Sequence, residues 1–429
     1  MSQIIVIGGG LAGLAAAAAL GETGANVRVL EMRSFLGGRA TSYPTQDNEV
    51  IDNCQHVLLR CCTSLLDFYG RMGVSHKIKF HRAIPFIEPG GRISILEAGM
   101  LPAPIHFAGS FLNLKFLSWS DKIAIGRALA AMYFEHSSRK DLDDISMLDW
   151  LREKKQTANA IERFWRQVLV SAINEELGKM AAAHGFQVFW LGFLSDSKSY
   201  QMGVPDVPLA ELYGSESWQR IPSVSFDFRS SVEAIHTDGN CVTGITANGE
   251  LLTADTYISA IPYERLEKIF PELGIDYSPF HHSSITGIHL WFDRPITELE
   301  NATLLDRNIQ WMFNKQGGKY VQLVVSASLN MIAMGRQEII DLALAELAEF
   351  FPLVREAKLE KVQVVKEVRA TFSAEPGLEA KRPMAKTQYA NFFLAGDWTR
   401  SGWPATMEGA VRSGYLAAEA VSGKTGIVK

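Results

Sequence analysis

The chain opens with QIIVIGGGLAGLAAAAALGETGANVRVLE, residues 3–31, and no other stretch constrains its fold as tightly. A short β-branched strand runs into a glycine turn, an alanine-rich helix and a second strand that ends on an acid, which is a βαβ unit carrying the dinucleotide fingerprint. Gly8 permits the tight turn, Gly10 lets backbone approach a pyrophosphate, and Gly13 lets helix and strand pack closely. The helix start at Leu11, Ala12 and Gly13 then presents free N–H groups to an anion. Glu31 stands at the strand end, with Met32 beside it, where a carboxylate can hydrogen-bond a ribose diol; an arginine there would have suggested a 2′-phosphate.

Two further segments extend this site. SFLGGRATSY, residues 34–43, adds a second glycine pair and a fixed cation, Gly38 and Arg39, directly after the acid. Near the other end, NFFLAGDWTRSGWPATMEGAVRSGYLAAEAV, residues 391–421, reads as an apolar strand stopping at Gly396 and Asp397, then a loop, then a helix from about Ala405. The G-G-R element resembles that of the flavin amine oxidase and phytoene desaturase superfamily. That resemblance implies FAD as cofactor, with Asp397 on the ribityl chain and the backbone of Ala405, Thr406 and Met407 against the isoalloxazine. It also implies that Val232, in SSVEAI, contacts the adenine through its backbone.

The fold class expected is α/β: a Rossmann-like FAD-binding domain of the G-G-R type, with a mixed sheet-plus-helix substrate domain. The FAD domain is expected from three separated segments, 1–80, 226–270 and 385–429, and the substrate domain from 81–225 and 271–384. A meander with turns at Asp238-Gly239-Asn240 and Asn248-Gly249 belongs to the middle segment.

A net charge of -5 gives no basic field for nucleic acid. The four cysteines, Cys54, Cys61, Cys62 and Cys241, show neither zinc spacing nor a disulfide framework, so no metal is expected and a reducing cytosol is the natural compartment. No run reaches the roughly 18 to 20 apolar residues of a membrane span. Yet Phe107, Phe111, Leu112, Phe116, Leu117 and Trp119 come too densely for one helical stripe. They predict an amphipathic patch touching a membrane surface beside the mouth of a long apolar pocket, hence a peripheral location at the inner face of the cytoplasmic membrane. The strands SSITGIHLWF and VQVVKEVRATF are expected to floor that pocket.

The run VIDNCQHVLL, residues 50–59, is similar to the V-D-N-G-Q-H element of the hydroxysqualene dehydroxylases. LPAPIH at 101–106, MGVPDVPLAELY at 202–213, SAIPYERL at 259–266 and AGDWTRSGWPATMEGAVRSG at 395–414 carry the same resemblance along the chain. Cys54 departs from it by standing at the glycine position, and RCC at 60–62 replaces a small, tyrosine-containing segment. The resemblance implies reductive dehydroxylation of hydroxysqualene to squalene in hopanoid biosynthesis. His56 is the candidate proton donor and Asp52 a candidate orienting partner for it, while the role that suits Asp52 better is fixing the loop by accepting backbone N–H bonds. With no second nucleotide fingerprint, electrons would come from an external donor. The readings left beside it are a carotene or phytoene desaturase, a flavin amine oxidase, and a prenyl-lipid carrier that keeps FAD structurally.

Overall fold

The computed structural model describes residues 2–45 and 47–429. Its first layer is a parallel sheet centred on Gln3–Ile7, which pairs with Asn26–Glu31 on one side and Thr256–Ser259 on the other; Val224–Phe228 and Phe392–Leu394 form the two edges. The strands that make one sheet thus come from three distant parts of the chain. The helix Leu11–Gly21 is buried along its whole length, between this sheet and the helix Met407–Ser422. A helix covered on every face has no polar stripe to offer, which is why it is written in alanine and glycine. At the crossing, a Cβ added to Gly414 would lie 2.2 Å from the Ala12 carbonyl oxygen.

The expected meander is present as Val232–Asp238, Cys241–Ala247 and Glu250–Leu252, joined at Gly239 and at Asn248-Gly249 with positive φ angles. Such φ values match the strand twist of tight hairpins. A second, seven-stranded sheet runs in the order Leu359–Phe372, His282–Phe292, Tyr320–Ser326, Trp311–Asn314, Asn301–Leu304, Ile84–Ile87, Ile93–Leu96. Because strand side chains alternate, one face of it packs Ile288, Leu323 and Met312 against the helix Arg336–Phe350. The opposite face, bearing Ile285, Phe313 and Val324, floors a cavity as the strand pattern predicts.

Helices Gln167–Ile173 and Ala182–Phe189 roof that cavity, and with Trp119–Glu135 and Met147–Glu153 they enclose an aromatic core of Trp150, Trp165, Phe186 and Phe189. Two π-helical turns, Ile161–Arg166 and Trp190–Leu194, interrupt this layer; Phe193 lines that cavity, and Phe164 and Phe193 both line a second one beside it. Among the described residues no helix is long and apolar enough to cross a membrane, and no cluster of His, Cys, Asp and Glu is arranged to hold a metal ion.

Candidate active site

The glycine fingerprint folds into a cradle that a side chain would fill. Gly8 turns at φ +106°, and a Cβ on Gly13 would lie 2.0 Å from the Gly8 carbonyl oxygen. The second glycine pair closes on the first: Gly37 N–H donates to the Gly9 carbonyl at 2.9 Å, and a Cβ on Gly38 would approach Gly10 Cα to 3.0 Å. Gly10 caps the buried helix without any side-chain bond, and its first turn holds no acidic residue. Such a start leaves N–H donors that an anion satisfies.

Glu31 fixes the adjoining corner. One carboxylate oxygen accepts from Gly9 N–H at 2.7 Å and the other from Arg33 N–H at 2.8 Å, and each keeps a lone pair for a diol. Met32, 54% exposed, lies at the open lip. Val232 reaches the same corner, because Ser230 N–H donates to the Glu31 carbonyl at 2.9 Å. The Arg265 guanidinium holds that segment through Ser231 Oγ at 2.7 Å and the Val232 carbonyl at 3.2 Å.

Arg39 and Asp397, far apart in sequence, form an ion pair at 2.6 Å. Gly396, at φ +137°, delivers Asp397 into the site, and the buried Arg382 shapes the loop that follows. Its guanidinium donates to the carbonyls of Asp397 at 2.8 Å, of Trp403 at 2.7 Å and of Thr399, and pairs with Glu379 at 2.5 Å. The loop ends at Ala405, and Thr406 caps the helix Met407–Ser422 through Gly409 N–H at 3.0 Å. Glu408, buried in the first turn, accepts from the Ser64 and Leu65 N–H groups at 3.1 and 2.7 Å. Burial pushes its carboxyl pKa up, partly offset by those two bonds. Sequence reasoning missed both: Arg382 stands in no recognisable motif, and Glu408, though inside the 395–414 run, is given a role only by the distant Ser64 and Leu65 amides it meets.

The segment 50–59 forms a wall beside this site. Asp52 accepts from Ser42 Oγ at 2.7 Å and from Leu209 N–H at 3.0 Å, and Lys315 Nζ lies 3.8 Å away. His56 Nδ1 sits 3.4 Å from the Cys54 carbonyl. No hydrogen bond joins Asp52 to His56, so the orienting pair expected from sequence is not formed: one carboxylate oxygen holds Ser42 and Leu209, the other faces Lys315, and His56 Nδ1 turns to the Cys54 carbonyl. Burial depresses the His56 pKa, with the Asp52 charge acting in the opposite direction. Cys54 is buried at φ +61°, and burial pushes its thiol up to about 12. A thiol held that far from ionisation is no nucleophile at neutral pH.

Gln55 and Val57 flank an inner cavity of about 250 Å³ that begins at Trp403, Thr406, Met407 and Glu408; His56 itself is not part of its lining. Leu96 and Phe193 stand at its far end and also line an outer, more apolar cavity of about 550 Å³ between Phe107, Phe111, Tyr133 and Phe134. Of the dense aromatic run, Phe116 and Leu117 are core, Phe107 and Phe111 wall the outer cavity, and Leu112 and Trp119 face solvent.

A two-chambered apolar passage leading to a dinucleotide cradle defines the class, a flavoprotein oxidoreductase. Residues 11–422 match the flavin containing amine oxidoreductase family, and the chain belongs to it. The cradle, the uncapped helix start and the Arg39–Asp397 pair all fit FAD, which is its cofactor. Among curated relatives, the chain is 27% identical to a 15-cis-phytoene desaturase from Synechococcus elongatus, with 98% of this chain and 95% of that one aligned. An oxidoreductase structure from Methanosarcina mazei superposes with a TM-score of 0.75 at 17% identity, covering 98% of this chain and 100% of the other. A putrescine oxidase bound to putrescine gives 0.71 at 15% identity, with 99% of each chain covered. The fold expected from sequence is therefore correct, and the protein is an FAD-dependent oxidoreductase of the phytoene desaturase and amine oxidase superfamily. The relatives named are not hydroxysqualene dehydroxylases.

Proposed function

We propose that this protein exchanges a hydride between FAD and a long, linear, apolar isoprenoid. The observation that carries the reading is the continuous greasy passage, two chambers meeting at Leu96 and Phe193, that ends at the start of the helix Met407–Ser422. The flavin supplies hydride acceptance or donation at N5. Gly8, Gly10, Gly13, Glu31, Gly38, Arg39, Val232 and Asp397 would hold it, with the backbone of Ala405, Thr406 and Met407 against its isoalloxazine. The apolar walls exclude water, which protects any cationic carbon from capture.

Desaturation of a polyene is the first reading, supported by the likeness to a phytoene desaturase over nearly the whole chain. Reductive dehydroxylation of hydroxysqualene is the second, supported by the VIDNCQHVLL element and by polar groups on the inner wall, Gln55, Gln167 and Ser171. An amine substrate fits less well, because the carboxylate on that wall, Glu408, is engaged by two backbone amides. Access is from a membrane surface. Around the outer mouth Met100, Leu101, Ile105, Trp119, Ile123 and Phe134 are exposed, and the exposed charges on this helix and the loop before it are the cations Lys115 and Arg127. That apolar, cation-flanked rim supports the reading of a peripheral site at the inner face of the cytoplasmic membrane.

The test is anaerobic. Oxidised holoenzyme with phytoene in detergent should bleach its flavin as a new double bond appears; photoreduced holoenzyme with hydroxysqualene should regain flavin colour as squalene accumulates. The arm that reacts identifies the direction. Inert flavin in both arms overturns the proposal and leaves the lipid-carrier alternative.

A further inference from the structure

The cavity floor continues into a row of polar side chains several of whose atoms find no partner among the described residues. On the cavity face of the large sheet, Gly287, Val324, Trp311 and Thr303 lie side by side, and the next row on that face is His289, Gln322, Phe313 and Asn301. Each of the polar four, Thr303, His289, Gln322 and Asn301, is more than nine-tenths buried. Yet Thr303 Oγ1, His289 Nε2, Asn301 Oδ1 and both amide atoms of Gln322 have no hydrogen-bond partner among the described residues, and Gln55 Oε1 beside the cavity has none either. A buried polar group left bare costs about 1–3 kcal/mol. Buried polar clusters of this kind hold ordered water, each molecule making about three hydrogen bonds.

One residue pair further along the strands the row meets ionisable groups. Tyr320 Oη lies 2.7 Å from His289 Nδ1, and Lys315 N–H donates to the Tyr320 carbonyl at 2.9 Å. The Lys315 ammonium stands 3.8 Å from Asp52, and the side chains of this pair are 19% and 10% exposed. The groups whose charges act on it are Asp52 and Asp206, and its own charge acts on His56 and His289. The series runs from the cavity wall at Phe313 and Val324 through Gln322 and His289 to that half-buried ion pair, while Thr303 and Asn301 lie on the far side of Trp311 and Phe313 and take no part in it.

We propose that this row holds a chain of ordered water that carries the proton of the flavin reaction between the inner cavity and the Lys315–Asp52 pair. The inference deepens the functional reading and rests on it. Desaturation breaks two C–H bonds: one leaves as hydride to the flavin, and the other leaves its electron pair in the new double bond and its proton to the chain. Dehydroxylation breaks the C–O bond with its pair on oxygen, takes one proton from the chain to complete water, and takes hydride from the flavin. Either direction moves one proton through an otherwise dry wall. Gln322, His289 and Lys315 are positioning residues that act through the water.

Two measurements test it. A high-resolution crystal structure of the oxidised holoenzyme without lipid should show ordered waters on Gln322 and His289, between the cavity wall and Tyr320; a dry stretch there overturns the proposal whatever the substrate turns out to be. In Gln322→Leu and Lys315→Met, with the FAD spectrum and melting temperature checked, the lipid-coupled flavin half-reaction should slow at least about tenfold, with an enlarged solvent deuterium effect and a displaced pH profile; positioned proton transfer contributes about a hundredfold or more. Wild-type rate, isotope effect and pH profile in both variants would also overturn it. If the wild type itself reacts with neither lipid, the functional reading fails while the crystal structure still judges the row.

Discussion

Cys54 concentrates the residue-scale lesson. It occupies a left-handed conformation that costs an L-residue roughly 1–2 kcal/mol, and it is accommodated because Gly287 leaves room opposite: a Cβ there would meet the Cys54 sulfur at 3.1 Å. Gly287→Ala should therefore destabilise the protein by about 1–3 kcal/mol in urea unfolding. In a Cys54→Gly background the same change should cost less than about 0.5 kcal/mol, and equal costs in the two backgrounds would show that the contact is not the cause. A maleimide should label the exposed Cys241 rapidly and spare Cys54 until the protein unfolds. The glycine-like position of Cys54 was legible from the resemblance. Its compensating glycine was not, because that residue lies on a strand remote in sequence. The same distance hid the true partners of Asp52: proximity along the chain suggested His56, while Ser42 and Leu209 hold the carboxylate.

At the scale of elements, the parts with a local code were readable. The fingerprint strand, turn and helix, the meander turns and the final strand-loop-helix each announce themselves by period and by glycine. What no local code announces is the group that holds a loop from behind. Arg382 does this for residues 397–403, and Arg382→Met should strand Glu379 and four carbonyls, at about 3 kcal/mol or more. The variant should emerge from gel filtration depleted of flavin, and full FAD occupancy would contradict that role. Lys315 was unreadable for a related reason: in NKQGGK it looks like a solvated turn, and only the hairpin's placement against Asp52 buries it.

For the whole molecule, acidity and lipid are the informative variables. Burial holds His184 and His289 each down at about 4, against 6.5 for a free imidazole. Both are neutral in the fold and protonate more readily when unfolded, so their stabilisation is complete above pH 6.5 and is lost as pH falls toward 4. By linkage each is worth on the order of 3 kcal/mol. The urea midpoint should fall across that window, and His289→Phe should flatten the slope. The proposed lipid access is tested at the exposed apolar rim. Replacing Trp119 and Phe134, 68% and 74% exposed, by serine should cut cosedimentation with anionic vesicles several-fold while FAD content is unchanged. Binding that survives the double substitution would place the contact elsewhere.

The waist where Leu96 and Phe193 belong to both chambers has one more implication. A thread drawn through a needle's eye has a leading end and a trailing end even when the two are chemically alike. A linear occupant of this passage is in the same position, with one terminus near the cofactor and the other still outside the neck. The two halves of a symmetric molecule therefore become inequivalent on entry, and the order in which its bonds react is set by the direction of threading rather than by any difference in their intrinsic reactivity.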